Sequence, residues 1–229
     1  IVLAKSAGFC FGVNRAIEAV YAEAGKGKVY TYGPIIHNKE VTKDLEEKGV
    51  FSIDSFDGID SGTVVLRSHG VGKKVYDEAA KKNLRIIDGT CPFVKKIHNI
   101  VKKEYESGKK VIIVGDPNHP EIIGINGWCE NSAYIIPNEE EAEKFEAEKN
   151  ADYSLVVQTT FRKKRFDEIC EILKTKLDNI KIFDTICSAT ETRQKEAVEL
   201  SKKMDKMIVV GDKKSSNTQK LYEICKNNC

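Results

Sequence analysis

The sequence predicts an α/β fold with mostly parallel sheets, built from three related modules. Three observations point that way. Short β-branched runs alternate with longer charged amphipathic stretches from end to end, and such alternation places helical crossovers between parallel strands. A pattern of strand, Asp, short loop and Cys-headed helix recurs. Ile86-Ile87-Asp88-Gly89-Thr90-Cys91 resembles Ile182-Phe183-Asp184-Thr185-Ile186-Cys187, and Val2-Leu3-Ala4 through Cys10 is a looser third copy. The three cysteines lie 81 and 96 residues apart with no low-complexity linker between them, one Cys to a module.

Taken in order, strand 1–5 opens the chain and helix 13–24 follows Cys10. Strand 28–32 leads to helix 39–48, with Gly49 where a C-terminal cap belongs. Strand 63–67, helix 73–82 and strand 84–87 come next. Pro92 occupies the first position of helix 92–107, and Gly108 follows its end. Strands 110–114 and 133–136 precede helix 139–147, whose charge run is a solvated face. Strand 153–157, helix 162–177, strand 180–184 and helix 189–204 continue the alternation. Strand 206–210 and helix 218–227, with Asn217 as N-cap, close it. The predicted modules are 12–90, 91–186, and 187–229 together with the N-terminal strand segment 1–11.

Composition excludes several functions. Among 229 residues, 37 basic and 35 acidic side chains leave a formal charge of +2, which argues against a nucleic-acid partner. The longest strongly apolar runs are about five residues, as around Val111–Val114, whereas a membrane-crossing helix needs about 20. With no basic-then-apolar leader at the start, a cytoplasmic location is expected. The seven cysteines are odd in number and widely spread, with no Cys-x-x-Cys pair, unlike a secreted disulfide framework. No Walker loop or Gly-x-Gly-x-x-Gly follows a strand, so ATP and NAD lack a motif.

Cys10, Cys91 and Cys187 each stand at a helix start, where free N–H groups favour the thiolate. They are candidate ligands or nucleophiles, or three small buried side chains. Three thiolates leave a [4Fe–4S] cluster with one open iron, or a zinc ion with an open fourth position. Cys129, Cys170, Cys225 and Cys229 lie in helices, a loop or the last position and read as incidental. His37, His69 and His119 each follow a strand, in a loop, which suggests a cationic or donor-rich pocket. His98, inside helix 92–107, reads as structural. Glu121, two residues after His119, is a candidate proton donor if burial raises its pKa. Thr159, after strand 153–157, and Ser215, Ser216 and Asn217, after strand 206–210, suit a phosphate or diphosphate, or serve as ordinary caps.

These segments together resemble the 4-hydroxy-3-methylbut-2-enyl diphosphate reductase family. The resemblance runs through Gly8-Phe9-Cys10-Phe11-Gly12, Gly33-Pro34-Ile35-Ile36-His37-Asn38, Arg67-Ser68-His69-Gly70 and Asp88-Gly89-Thr90-Cys91-Pro92. It continues through Asn118-His119-Pro120-Glu121, Gln158-Thr159-Thr160, Ile186-Cys187-Ser188-Ala189-Thr190 and Ser215-Ser216-Asn217. It implies modules related by a pseudo-threefold axis around a central iron–sulfur site, with Cys10, Cys91 and Cys187 holding a [4Fe–4S] cluster. It further implies His37, His69, His119, Thr159, Ser215, Ser216 and Asn217 around the substrate, with Glu121 as proton source assisted by Thr159. The implied reaction removes an allylic hydroxyl and gives isopentenyl and dimethylallyl diphosphate, with ferredoxin or flavodoxin as external electron donor. Family members continue past the position of Cys229 with a further Ser-bearing loop, so the third module is expected to be incomplete. A cluster-dependent dehydratase and a zinc-dependent hydrolase are the alternatives.

Overall fold

The computed structural model describes residues 1–229. Helix α1 (Phe11–Glu23) leads into β1 (Val29–Tyr32), α2 (Lys39–Glu47), β2 (Val50–Ile53), β3 (Thr63–Leu66), α3 (Lys73–Lys81) and β4 (Arg85–Asp88). The second run comprises α4 (Pro92–Glu106), β5 (Lys110–Val114), α5 (Pro120–Asn126), β6 (Tyr134–Ile136), α6 (Glu139–Lys144), β7 (Tyr153–Val157), α7 (Lys163–Lys174) and β8 (Ile180–Ile182). Helices α8 (Ser188–Ser201) and α9 (Ser216–Lys226) finish the chain. The strands form two four-stranded sheets, β2-β1-β3-β4 and β6-β5-β7-β8. Every strand pair is parallel. The α/β class and the parallel pairing are therefore as expected.

Parallel strands are covered by helices on both faces, so their sequences run apolar without alternation. Strand β7 is buried at all five positions and β5 at four of five. One core packs α7 against Ile112, Leu155 and Val157, and another packs α4 and α5 against Val111, Ile113 and Val156. Each fully buried Val, Leu or Ile contributes about 1.5–3 kcal/mol. The first sheet is sandwiched in the same way, between α1 with α2 and α3. Beneath β7, the carboxylate of Glu104 on α4 accepts from Lys109 Nζ at 2.6 Å, Lys181 Nζ at 2.8 Å and Ser154 Oγ at 2.8 Å. Burial works to raise its pKa, but these donors win and hold it at about 2.

Four elements differ from expectation. Residues 1–5 and 206–210 form no strand. Both are apolar runs with no strand beside them, and a lone strand has no stability of its own; Leu3, Ile208 and Val210 are exposed. Strand β2 and helix α5 are additions. β2 buries Val50 alone and exposes Phe51 and Ser52, so it shows no apolar run. α5 is seven residues long and carries Pro120 and Gly124, so packing sustains it rather than propensity. Ser215, not Asn217, is the N-cap of α9. No helix is long and apolar enough to cross a membrane.

Candidate active site

A cavity of about 440 Å³ lies where the loops after the strands meet. Cys10, Cys91, Cys187, His37, His69, His119, Glu121, Thr159, Ser215, Ser216 and Asn217 all line it. Asn38, Ser68, Thr160 and Arg193 also line it. Sequence reasoning did not assign those four, although each adjoins or lies within a quoted motif.

The thiols are placed by backbone and by glycine. Cys10, Cys91 and Cys187 are the N-caps of α1, α4 and α8, and none uses its side chain to cap. The Cys91 amide donates to Ser68 O at 2.9 Å, and the Cys187 amide to Thr159 O at 3.0 Å. Cys10 follows a segment without secondary structure, yet that segment is fixed. Arg193 donates to the carbonyls of Ser6 and Gly8, and Glu196 accepts from the Lys5 and Ser6 amides. Gly12 lets α1 approach: a Cβ there would collide with Cys91 Sγ. The pKa of Cys91 departs from expectation. Burial pushes it up, the amides of Phe93 and Val94 oppose that, and the neighbouring Cys10 and Cys187 thiols push it further up. The helix start does not by itself yield a thiolate here; a metal centre would supply the missing drive, because a coordinating thiol is deprotonated outright.

Three soft, half-buried thiols lining one cavity fit an iron–sulfur group as ligands. They fit one zinc ion less well, because bonds of about 2.3 Å demand sulfurs drawn close together. The trio of ligating atoms within such reach is the imidazole set of His37, His69 and His119, all within 4.8 Å of one another. That set presents hydrogen-bond donors to the cavity. His119 Nδ1 accepts the Glu121 amide at 3.1 Å, capping α5, so the proton of the neutral ring sits on Nε2 and the free nitrogen is a donor. Ring centroids lie 4.8 Å apart for His37–His69 and 5.3 Å for His69–His119. Burial lowers all three pKa values, His119 to about 4; neighbouring imidazoles add to the effect at His69 and His119, and at His37 Asp212 opposes it while Arg67 and Lys214 add to it. The rings are uncharged at neutral pH. His37 Nε2 and His69 Nδ1 are buried without a partner, and each such atom calls for one.

Glu121 is 2 % exposed and faces no cation. Its Oε1 accepts the Thr159 amide at 2.7 Å, and Oε2 pairs with the Thr159 hydroxyl at 2.7 Å. Burial raises its pKa, with the Thr159 bonds opposing. The result is a carboxyl able to hold a proton beside the cavity. Thr160 Oγ1 bonds Ser216 Oγ at 2.8 Å, joining this loop to the start of α9. His98 stacks on Trp128 outside the cavity, a structural placement as expected.

Fold and site define a class: a modular parallel-sheet α/β enzyme whose active site is assembled by loops from successive sheets. The chain belongs to the LytB protein family, whose model matches residues 1–229. It is 51% identical to the 4-hydroxy-3-methylbut-2-enyl diphosphate reductase of Thermoanaerobacter sp. (strain X514), covering 100% of this chain and 81% of that protein. It is 48% identical to the reductase of the same name from Clostridioides difficile (strain 630), over 99% of this chain and 82% of that one. Among solved structures, it matches the E-1-hydroxy-2-methyl-but-2-enyl-4-diphosphate reductase of Plasmodium falciparum with a TM-score of 0.91 and 33% identity. That match covers 96% of this chain and 71% of the other.

Proposed function

We propose that the protein reduces 4-hydroxy-3-methylbut-2-enyl diphosphate to isopentenyl and dimethylallyl diphosphate, with loss of the hydroxyl as water. Two electrons and two protons balance that loss. The convergence of three thiols, three neutral imidazoles and one buried carboxyl on a single cavity carries this reading, and the relatives named above support it. Cys10, Cys91 and Cys187 would hold a [4Fe–4S] cluster, which when bound supplies single electrons and a Lewis-acidic open iron. His37, His69 and His119 donate to the diphosphate with Ser215, Ser216, Asn217 and the first-turn amides of α9. Thr159 orients the Glu121 carboxyl, which gives up its proton to the departing hydroxyl or the carbon skeleton. The buried carboxyl and imidazoles at the base of the cavity hold their polar contacts apart from bulk water, which strengthens them.

Electrons come from an external one-electron carrier of the ferredoxin or flavodoxin kind, and the protein works in the cytoplasm. The modules are 12–90, 91–186, and 187–229 with 1–11, the last of them partial. Anaerobic purification followed by iron, sulfide and turnover measurements tests this. About four irons per chain with strictly reductant-dependent turnover is the expected result. Turnover without reductant would establish a dehydratase, and a colourless zinc-loaded protein would remove the cluster.

A further inference from the structure

Three uncharged imidazoles are a poor counterweight to a diphosphate. No lysine lines the cavity, and its one arginine, Arg193, is committed to the Ser6 and Gly8 carbonyls. Helix N-termini contribute only partial charges. Arg67 stands behind the histidine wall. Arg85, Arg162 and Arg165 each pair with a glutamate; Arg67 forms no salt bridge, Asp54 acting on it only from a distance. The one hydrogen bond of its guanidinium is a long one, Nε to Gly70 O at 3.5 Å. The half-buried guanidinium lies against Gly33, where an added Cβ would stand 2.5 Å from Nη1. Gly33 begins the loop that ends at His37, and Gly70 closes the loop that presents His69. The guanidinium is thus wedged between two histidine-bearing loops, and its charge acts on His37, His69 and His119 alike.

A half-buried guanidinium with no salt bridge and one long hydrogen bond gains little from the chain around it, and an apolar residue of similar length packs there at little loss. An anion in the cavity would supply the close partner that the chain does not. We propose that Arg67 is a positioning residue for the diphosphate: its guanidinium, wedged between the loops that carry His37 and His69, supplies a fixed counter-charge to the anion. This rests on the diphosphate reading of the cavity.

The test uses the reconstituted holoenzyme with Arg67→Met and Arg67→Lys. It reads inorganic pyrophosphate binding by calorimetry, steady-state KM and kcat, and thermal unfolding. In R67M, pyrophosphate affinity is expected to fall roughly thirtyfold and KM to rise by a similar factor, with kcat within about threefold. Its Tm should equal or exceed the wild-type value. R67K, which keeps the charge but not the fork, should stay within about fivefold of wild type. Wild-type affinity in R67M, an R67M protein that does not fold, or R67K as impaired as R67M would each overturn the proposal. If the wild-type protein itself neither binds pyrophosphate nor turns over, the diphosphate reading falls with it. Wild-type binding that R67M retains removes the Arg67 role alone.

Discussion

In the first sheet, the loop after β1 delivers His37 and the loop after β3 delivers His69. In the second, the loop after β5 delivers His119 with Glu121, and the loop after β7 delivers Thr159. The two frames match. Strand orders β2-β1-β3-β4 and β6-β5-β7-β8 are the same wind, and each ends in a cysteine whose amide reaches back to the loop after the third strand, at Ser68 or Thr159. Position in the cavity is therefore a property of the fold, while chemistry is a property of four short loops. The first unit's loops bring two imidazoles to the cavity. The second divides the work, because His119 caps the helix that carries Glu121. The short, low-propensity α5 makes that possible: its N-terminus sits at the cavity, and its far end packs on the first unit, where Gly124 and Gly127 lie against Gly70 and Gly72.

Replacing Glu121 with Gln should break the division most severely. The amide keeps the shape and can still meet Thr159, but it has no proton to give. Turnover is expected to fall by about 10²–10⁴, while pyrophosphate affinity, set by the histidines, stays near wild type. Single-turnover kinetics alongside calorimetry checks both. Unchanged turnover would return the proton to another group and remove the asymmetry between the units.

Much of this frame was legible in the sequence, for a physical reason. Strands buried on both faces are continuous apolar runs, so β3, β5, β7 and their crossover helices announce themselves; β1 shows itself by its β-branched and aromatic residues instead. The rule fails in both directions where partners decide. Residues 206–210 read as a strand and are none, because nothing in the chain pairs with them; Val50–Ile53 reads as nothing and is a strand, because β1 lies beside it. The polar residues that line the cavity were legible as polar loops after strands. What was not legible depends on contacts between distant segments: the Gly12 approach to Cys91, the glycine seam under α5, and an Arg67 without a salt bridge.

A smaller difference between the units concerns stability. Helices α1 and α4 each end near a buried glutamate tied to the last strand of their sheet. Glu23 pairs with Arg85 of β4 at 2.6 Å, and Glu104 pairs with Lys181 of β8 at 2.8 Å, with Lys109 and Ser154 besides. Glu104 is held at about 2, below an unfolded value near 4.3. A depressed carboxylate stabilises above its unfolded pKa and loses that contribution as pH falls from about 5 toward 2. Glu104→Gln should cost about 1–2 kcal/mol at pH 7, allowing for the exposure of Lys181, and should flatten the acid limb of the stability curve. Urea unfolding at pH 7 and at pH 3 measures it. A variant whose acid limb matches wild type would show that the cluster does not distinguish the second unit.

The smallest effect isolates the link between a cap and the cavity. Asn38 caps α2 by accepting from the Glu40 amide at 3.0 Å and the Val41 amide at 3.2 Å. Asn138 caps α6 by accepting from the Glu141 amide at 2.9 Å. Both perform the same local task, and Ala at either position should cost about 1 kcal/mol. Their surroundings differ. Asn38 follows His37 directly and lines the cavity, whereas Asn138 follows the edge strand β6 and lies outside it. Fraying α2 loosens the backbone that aims His37; fraying α6 loosens a solvated helix. Asn38→Ala should therefore raise KM severalfold at nearly constant kcat, and Asn138→Ala should leave KM unchanged at an equal loss of stability. Equal KM values in two equally destabilised variants would mean that His37 is held by the Pro34–Ile36 segment before it, and that the cap serves the helix alone.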